Sequence, residues 1–307
     1  MFFSSIKAWF DNSHIEENID NSENINWLRC TPFIILHVSL IFGIFAPITT
    51  AGIVLCLASY FIRMFAITAF FHRYFAHKTF TTSKTIETLF ALIGTSAAQR
   101  GPIWWASHHR GHHKYSDTQL DEHSPEKKGF IKSHMLWFMC NRNFHTRKSF
   151  VKDLLRKKNL QFIDRFDGII PLCFLALLAL LGYCAQHFTN INLTPFTAMY
   201  WGFAVPTVLL LHATFSINSF GHTFGKKVYK TGDGSRNNWV LAIITLGEGW
   251  HNNHHHWPIS AKQGFKWQQI DISYYCLLLM KKLRLIKDIK IVPMSKLDKN
   301  KICVSQL

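Results

Sequence analysis

PFIILHVSLIFGIFAPITTAGIVLCLASYFIRMFAITAFF (32–71) decides the architecture, because it is apolar apart from a few small polar residues, His37 and Arg63. A helix crosses the hydrocarbon of a bilayer in about 20 residues. The run therefore holds two spans, and the break APITTAG (46–52) folds them into a hairpin. A second apolar region, from Gly168 to Asn218, is divided by HFTNINLTP (187–195) and gives a second hairpin. Buried helices of soluble proteins rarely run this far without charge. The composition, 48% hydrophobic and 17% charged, fits a helical membrane protein. ETLFALIGTSAAQRGPIWW (87–105) is too interrupted for a further span and is expected as an interfacial helix.

Lys and Arg accumulate in cytoplasmic loops. Neither hairpin turn contains one, whereas residues 72–168 carry 17 and residues 222–307 carry 14 of the 34 basic residues. Both polar regions and the N-terminus are thus expected on the cytoplasmic side. The net charge of +16 flanks hydrophobic spans, which points to anionic lipid headgroups or an acidic redox partner and not to nucleic acid. Seven cysteines are scattered without a CxxC pair, as small core residues in a reducing compartment are. The N-terminus has no secretory-signal pattern, and Asp11 to Asn26 is expected to be flexible. The expected organisation is an N-terminal segment 1–31, a transmembrane hairpin 32–71, a polar segment 72–168, a second hairpin 169–217 and a polar segment 218–307. The fold class is all-α: four transmembrane helices in two hairpins, capped by a helical cytoplasmic domain.

Histidine placement carries the chemistry. Half of the 18 histidines fall in four groups at span ends or in the polar segments: HRYFAH (72–77), HRGHH (109–113), His222 within NSFGH (218–222), and HNNHH (251–255). Residues at i, i+3 and i+4 project from one side of a helix, so His109, His112 and His113 are expected to converge, and likewise His251, His254 and His255. The i, i+5 spacing of His72 and His77 predicts that the helix ends or bends between them. Imidazole suits iron, zinc and copper. Nine imidazoles with almost no nearby Cys exceed the four ligands of a structural zinc site, so more than one ion is implied, and redox-active iron fits best. A lone histidine is more often a packing or surface residue, and that reading is kept for His14, His37, His145, His187 and His212. His108, His134, His256 and His123 are packing residues or supports of the ligands.

The words HRYFAH, HHRGHH and GEGWHNNHH, in this order between two hairpins, resemble the membrane fatty acyl desaturases, specifically the stearoyl-CoA Δ9 type in its bacterial form. WWASHHRGHHKYSDT, DEHSPEKKGFIKSH, SINSFGH and DGSRNNWVLAIITLGEGWHNNHH extend the likeness over nearly the whole chain after about residue 30. The resemblance implies two irons held by His72, His77, His109, His112, His113, His222, His251, His254 and His255, with Asn218 holding a metal-bound water. It implies dioxygen as co-substrate and a cis double bond at Δ9 of a saturated C16 or C18 acyl-CoA. A closed apolar tunnel would set the position of attack, with Trp104 and Trp105 as either tunnel lining or interfacial anchors. Glu248 is a candidate acceptor for a ligand N–H.

Animal stearoyl-CoA desaturases place polar and charged residues before the second box that touch coenzyme A, whereas this chain has RGPIWWASH (100–108). The carrier therefore stays open between CoA, acyl carrier protein and lipid, with Arg100, Lys127, Lys128 and Lys132 as possible phosphate contacts or plain surface charge. The tail after the third box is too short for a fused haem or iron–sulfur domain, so electrons are expected from a separate ferredoxin, rubredoxin or small cytochrome with its reductase. The expected location is the bacterial inner membrane, with the site on the cytoplasmic face. Acyl-lipid desaturation and histidine-box hydroxylation of fatty acids or alkanes are the neighbouring enzyme readings. Outside enzymes, the alternative is a histidine-rich metal transporter, but transporters set ionisable groups within their spans, and these lie at span ends.

Overall fold

The computed structural model describes residues 6–7, 9–13 and 21–297. Four of its helices are long and apolar enough to cross a membrane: α1 (Trp27–Phe45), α2 (Thr50–Ala76), and, beyond the polar region, α6 (Ile169–Phe188) and α7 (Pro195–Thr223). The longer helices between them are α3 (Lys84–Thr95), α4 (Pro102–Tyr115) and α5 (Lys158–Arg165). Beyond α7 come α8 (Trp239–Ile244), α9 (His251–His256) and α10 (Ile272–Lys282). A two-residue antiparallel ribbon, Thr81–Thr82 with Ile286–Lys287, ties the first polar region to the second.

Each hairpin turns where a cap satisfies the free amides of the next helix. Thr49 accepts from the Gly52 amide at the start of α2. Thr194 and Thr197 form a reciprocal capping box at the start of α7. Gly182 lets α6 approach that cap: a Cβ there would lie 2.5 Å from the Thr194 carbonyl oxygen.

Both inner helices overshoot the expected span ends at 71 and 217. α2 continues to Ala76 and α7 to Thr223, so His72, Asn218 and His222 stand on the ends of spanning helices. The overshoot is sustained by packing, since residues 66–76 are almost entirely buried, with Phe70 and Phe71 fully so, in the core that α2 shares with α3 and α4. α1 likewise begins at Trp27, earlier than Pro32. The helix does end between His72 and His77, at Ala76, but not by a simple break. Residues Ala66–Ala76 widen into a π-helix, and the His77 amide donates to the His72 carbonyl at 3.1 Å. An i→i+5 turn stacks residues five apart, which is how these two histidines come to share a face.

Residues 87–105 do not form one interfacial helix. α3 exposes Leu89 and Leu92, but α4 is an interior helix that buries Ile103, Trp104, Ser107, His108 and His112. The break between them passes through Ala98 (φ 57°) and Arg100 (φ 68°), and Asp164 caps α4 by accepting from the Ile103 and Trp104 amides, both at 2.9 Å. The described parts of the stretch expected to be flexible are anchored. Asp11 pairs with Arg165, and the Asn26 amide donates to the Met139 carbonyl. Residues 14–20, His14 among them, lie outside the described residues.

Arg63 is the one charged side chain in the apolar part of α2, and it is buried. Its guanidinium donates to the Ser59 carbonyl at 3.2 Å and to Thr207 Oγ1 at 2.7 Å. It also lies over the rings of Phe174 and Phe203. It thus stitches α2 to α6 and α7 at a depth where an unsatisfied donor is expensive.

Candidate metal centre

α2, α4, α7 and α9 deliver nine imidazoles to one place, in two groups. His72, His77, His109, His113 and His254 form the first, and His112, His222, His251 and His255 the second; within each group, one ligand atom per residue lies within 4.8 Å of all the others. The HxxHH boxes therefore do not each converge on one point. On a helix the i and i+4 residues lie about 40° apart, while i+3 and i+4 lie about 100° apart. The i, i+4 pairs stay together, His109 with His113 and His251 with His255, and the middle histidines, His112 and His254, cross to the other group.

Carboxylates fix which ring nitrogen faces inward. His72 Nδ1 lies 2.5 Å from Glu248, His112 Nδ1 3.0 Å from Asp121, His222 Nδ1 2.8 Å from Asp117 and His255 Nδ1 2.6 Å from Asp233. A neutral imidazole that donates through Nδ1 presents a bare lone pair at Nε2, and these four Nε2 atoms face the groups. Burial opposes the charge on these acids, yet the adjoining imidazoles of His222, His112 and His255 hold the Asp117, Asp121 and Asp233 carboxyls well below the ordinary range. His72 and Arg73 likewise hold Glu248 down at about 2 against its burial.

Burial, and then the neighbouring imidazoles, push His77, His109, His113, His251 and His254 far below the usual histidine range, so they stay neutral. Neutral rings with inward lone pairs are the form that binds a cation. The spacing fits as well. His254 Nε2 lies 3.0 Å from His72 Nε2 and 2.9 Å from His113 Nε2, and His222 Nε2 lies 3.0 Å from His251 Nε2. Ligands about 2.0–2.1 Å from an ion at right angles are about 3.0 Å apart, whereas tetrahedral ligands are about 3.4 Å apart. A single proton cannot serve three converging nitrogens. The buried His255 Nε2 has no hydrogen-bond partner, so the residues present fit a pair of metal ions.

Below the histidines a cavity opens between α2 and α7. His72, His109, His112, His251 and Glu248 line its head; Met64, Ile67, Thr68, Thr214, Ile217 and Asn218 line its walls, with Trp105 and Thr245 at the sides. Gln99, on the strained turn before α4, joins two of these walls: its Nε2 donates to Thr214 Oγ1 at 3.0 Å, and its Oε1 accepts from Trp105 Nε1 at 3.4 Å. The site thus sets an imidazole-rich head over a slot with largely apolar walls.

A family model described as fatty acid desaturase matches residues 48–275. The chain is 36% identical over 284 residues to the acyl-CoA C20 Delta5-desaturase of Anemone leveillei, covering 89% of this chain and 87% of that protein. It is 34% identical over 275 residues to the sn-2 palmitoyl-lipid 9-desaturase of Nostoc sp. (strain 36), covering 88% and 92%. The sn-1 stearoyl-lipid 9-desaturase of Anabaena variabilis is 34% identical over 271 residues, covering 87% and 94%. The chain belongs to the fatty acid desaturase family.

This desaturase brings together all nine histidines carried over from the resemblance, and Asn218 lines the cavity one helical turn before His222. Glu248 accepts from a candidate ligand, as its position beside the third box suggested. His123 packs on the His112 ring with centroids 4.3 Å apart, and His108 packs between Trp104 and Trp137. Trp104 is neither belt nor tunnel residue: it is buried in the polar domain and donates to the Asn143 carbonyl. Trp105 lines the cavity and stacks on His109. His134 bonds His212, which bonds His37, away from the two groups. Sequence reasoning missed Asp117, Asp121, Asp233 and Gln99. Asp117 and Asp121 follow the second box closely, in KYSDT and DEHSP, and Gln99 stands shortly before Trp104 and Trp105, whereas Asp233, in DGSRNN, lies far from any box and has no such local signal.

Proposed function

We propose that this desaturase holds two irons, one in each histidine group, and uses dioxygen and two electrons to insert a cis double bond at Δ9 of a saturated C16 or C18 acyl chain. The observation that carries the reading is the pair of inward-facing imidazole groups at the head of a cavity between spanning helices. Removing hydrogen from an unactivated methylene needs a stronger oxidant than any side chain supplies, and iron with dioxygen supplies it. The chain's own residues do the rest. Glu248, Asp121, Asp117 and Asp233 hold His72, His112, His222 and His255 in the binding tautomer. Asn218 is suited to hold a water beside the second group. Met64, Ile67 and Ile217 exclude bulk water, and Gln99 fixes Thr214 and Trp105 so that one C–C pair lies beneath the histidines.

Electrons would come from a separate ferredoxin, rubredoxin or small cytochrome, and the site would face the cytoplasm of a bacterial inner membrane, as the basic segments suggest. The resemblance favours acyl-CoA as carrier; the acyl-lipid reading draws on two relatives whose names specify lipid substrates. Mass spectrometry of products from a labelled saturated acyl substrate in membranes tests the reaction type. Loss of two hydrogens is expected, and gain of one oxygen would move the chain to the hydroxylases.

A further inference from the structure

α8 carries its apolar residues outward. Trp239 is 66% exposed, Val240 47% and Ile243 49%, while Leu241 and Ala242 face the protein. The depth of this short helix is marked by one hydrogen bond. Tyr60 Oη donates to the Ile244 carbonyl at 2.7 Å. α2 is about 40 Å long at 1.5 Å per residue, longer than the roughly 30 Å hydrocarbon layer. Its far turn is fixed by Trp201, whose Nε1 donates to the Pro47 carbonyl. Tyr60 then lies roughly 15 Å from Thr50 along the axis, near the bilayer midplane. A carbonyl within side-chain reach of that level is inside the hydrocarbon, where it needs a partner, and Tyr60 supplies one. α8 is therefore sunk into the leaflet on the histidine side.

The next residue faces the other way. Ile244 is exposed towards lipid, and Thr245 lines the cavity together with Met64 and Thr68 of α2 and Ile217 of α7. A single residue's thickness separates the leaflet from the slot below the histidines. The chain then turns through Leu246 (φ 56°) and Gly247 (φ 129°). Left-handed backbone at a non-glycine residue is strained, and such positions mark hinges and ligand clamps.

Resting on the desaturase reading above, we propose that the acyl chain enters sideways from this leaflet, past Tyr60 and the C-terminal end of α8, and that the substrate is a chain still esterified in a membrane glycerolipid. The histidine-side leaflet is the surface that α8 engages. A glycerolipid keeps its headgroup at the polar boundary while one tail slides beneath Ile244, so no extraction of the lipid is needed.

The full chain, iron-loaded and reconstituted in phosphatidylcholine vesicles with a reducing protein and its reductase, is given either phosphatidylcholine labelled in its stearoyl chain or labelled stearoyl-CoA. Desaturation of the phospholipid is expected, with a drop of at least ten-fold in the variant carrying both Trp239→Lys and Ile243→Lys. Desaturation of stearoyl-CoA alone would overturn the lateral route and leave the desaturase reading standing, whereas no product from either substrate would remove both. Undiminished phospholipid turnover in the double variant would also overturn the route. Independently of activity, a fluorophore on Trp239→Cys, in a chain whose native cysteines are replaced by serine, is expected to be quenched by lipids brominated in mid-chain, and quenching only by headgroup-labelled lipid would place α8 outside the leaflet and overturn the proposal.

Discussion

Glu248 Oε2 lies 2.5 Å from His72 Nδ1, while Oε1 of the same carboxylate accepts from Arg73 Nη2 at 3.0 Å. Two consecutive residues of α2 are thus held by one acid from the third-box segment, and Arg73 also reaches Asp271 at 2.9 Å. Glu248→Gln keeps the volume but removes the charge that makes His72 a stronger donor. Iron affinity is expected to fall about 10- to 100-fold, read by competition with a chelator, with Arg73 still held by Asp271. Unchanged affinity would mean that Glu248 serves the fold and not the metal.

Gln99 binds Thr214 and Trp105 from opposite sides of the cavity. Gln99→Leu leaves those two groups without each other's anchor. Turnover is expected to fall roughly 10- to 100-fold, the scale associated with small misplacements of a reacting group, with iron content unchanged and with double bonds appearing at neighbouring positions. Gas chromatography of the product lipids reads both effects.

Burial pushes His108 far below the usual histidine range and His123 down to about 3. Both are neutral in the folded protein, whereas in the unfolded chain they take up protons below about pH 6.5. The unfolded state then binds more protons, so stability falls as pH drops below 6.5 and keeps falling towards the folded-state value near 3 for His123. The expected slope is up to about 1.4 kcal/mol per pH unit for each group. Thermal unfolding of detergent-solubilised protein between pH 7.5 and 5 checks it, and His123→Leu should flatten the slope.

The four spans and the histidine clusters are legible in the sequence because both rest on short-range regularities, apolar runs of bilayer length and repeats of i, i+3 and i+4. The allotment of His112 and His254 to the opposite groups was not, since it depends on how α4 and α9 face each other. The π-helix at Ala66–Ala76 leaves no composition signal; only the five-residue spacing of His72 and His77 hinted at it. Asp117 and His222 are far apart in the chain, and nothing local in either segment announces their 2.8 Å contact. The depth of α8 is hidden for the same reason, because a six-residue apolar run reads alike in a core and in a leaflet.

The most direct test of the central claim is the fatty acid profile of an unsaturated-fatty-acid auxotroph expressing either this chain or its His113→Ala variant, with double bonds located by derivatisation and mass spectrometry. A Δ9 monoene that appears only with the intact chain is the predicted result. No new monoene in air, with the protein present and a competent electron donor supplied, would contradict it.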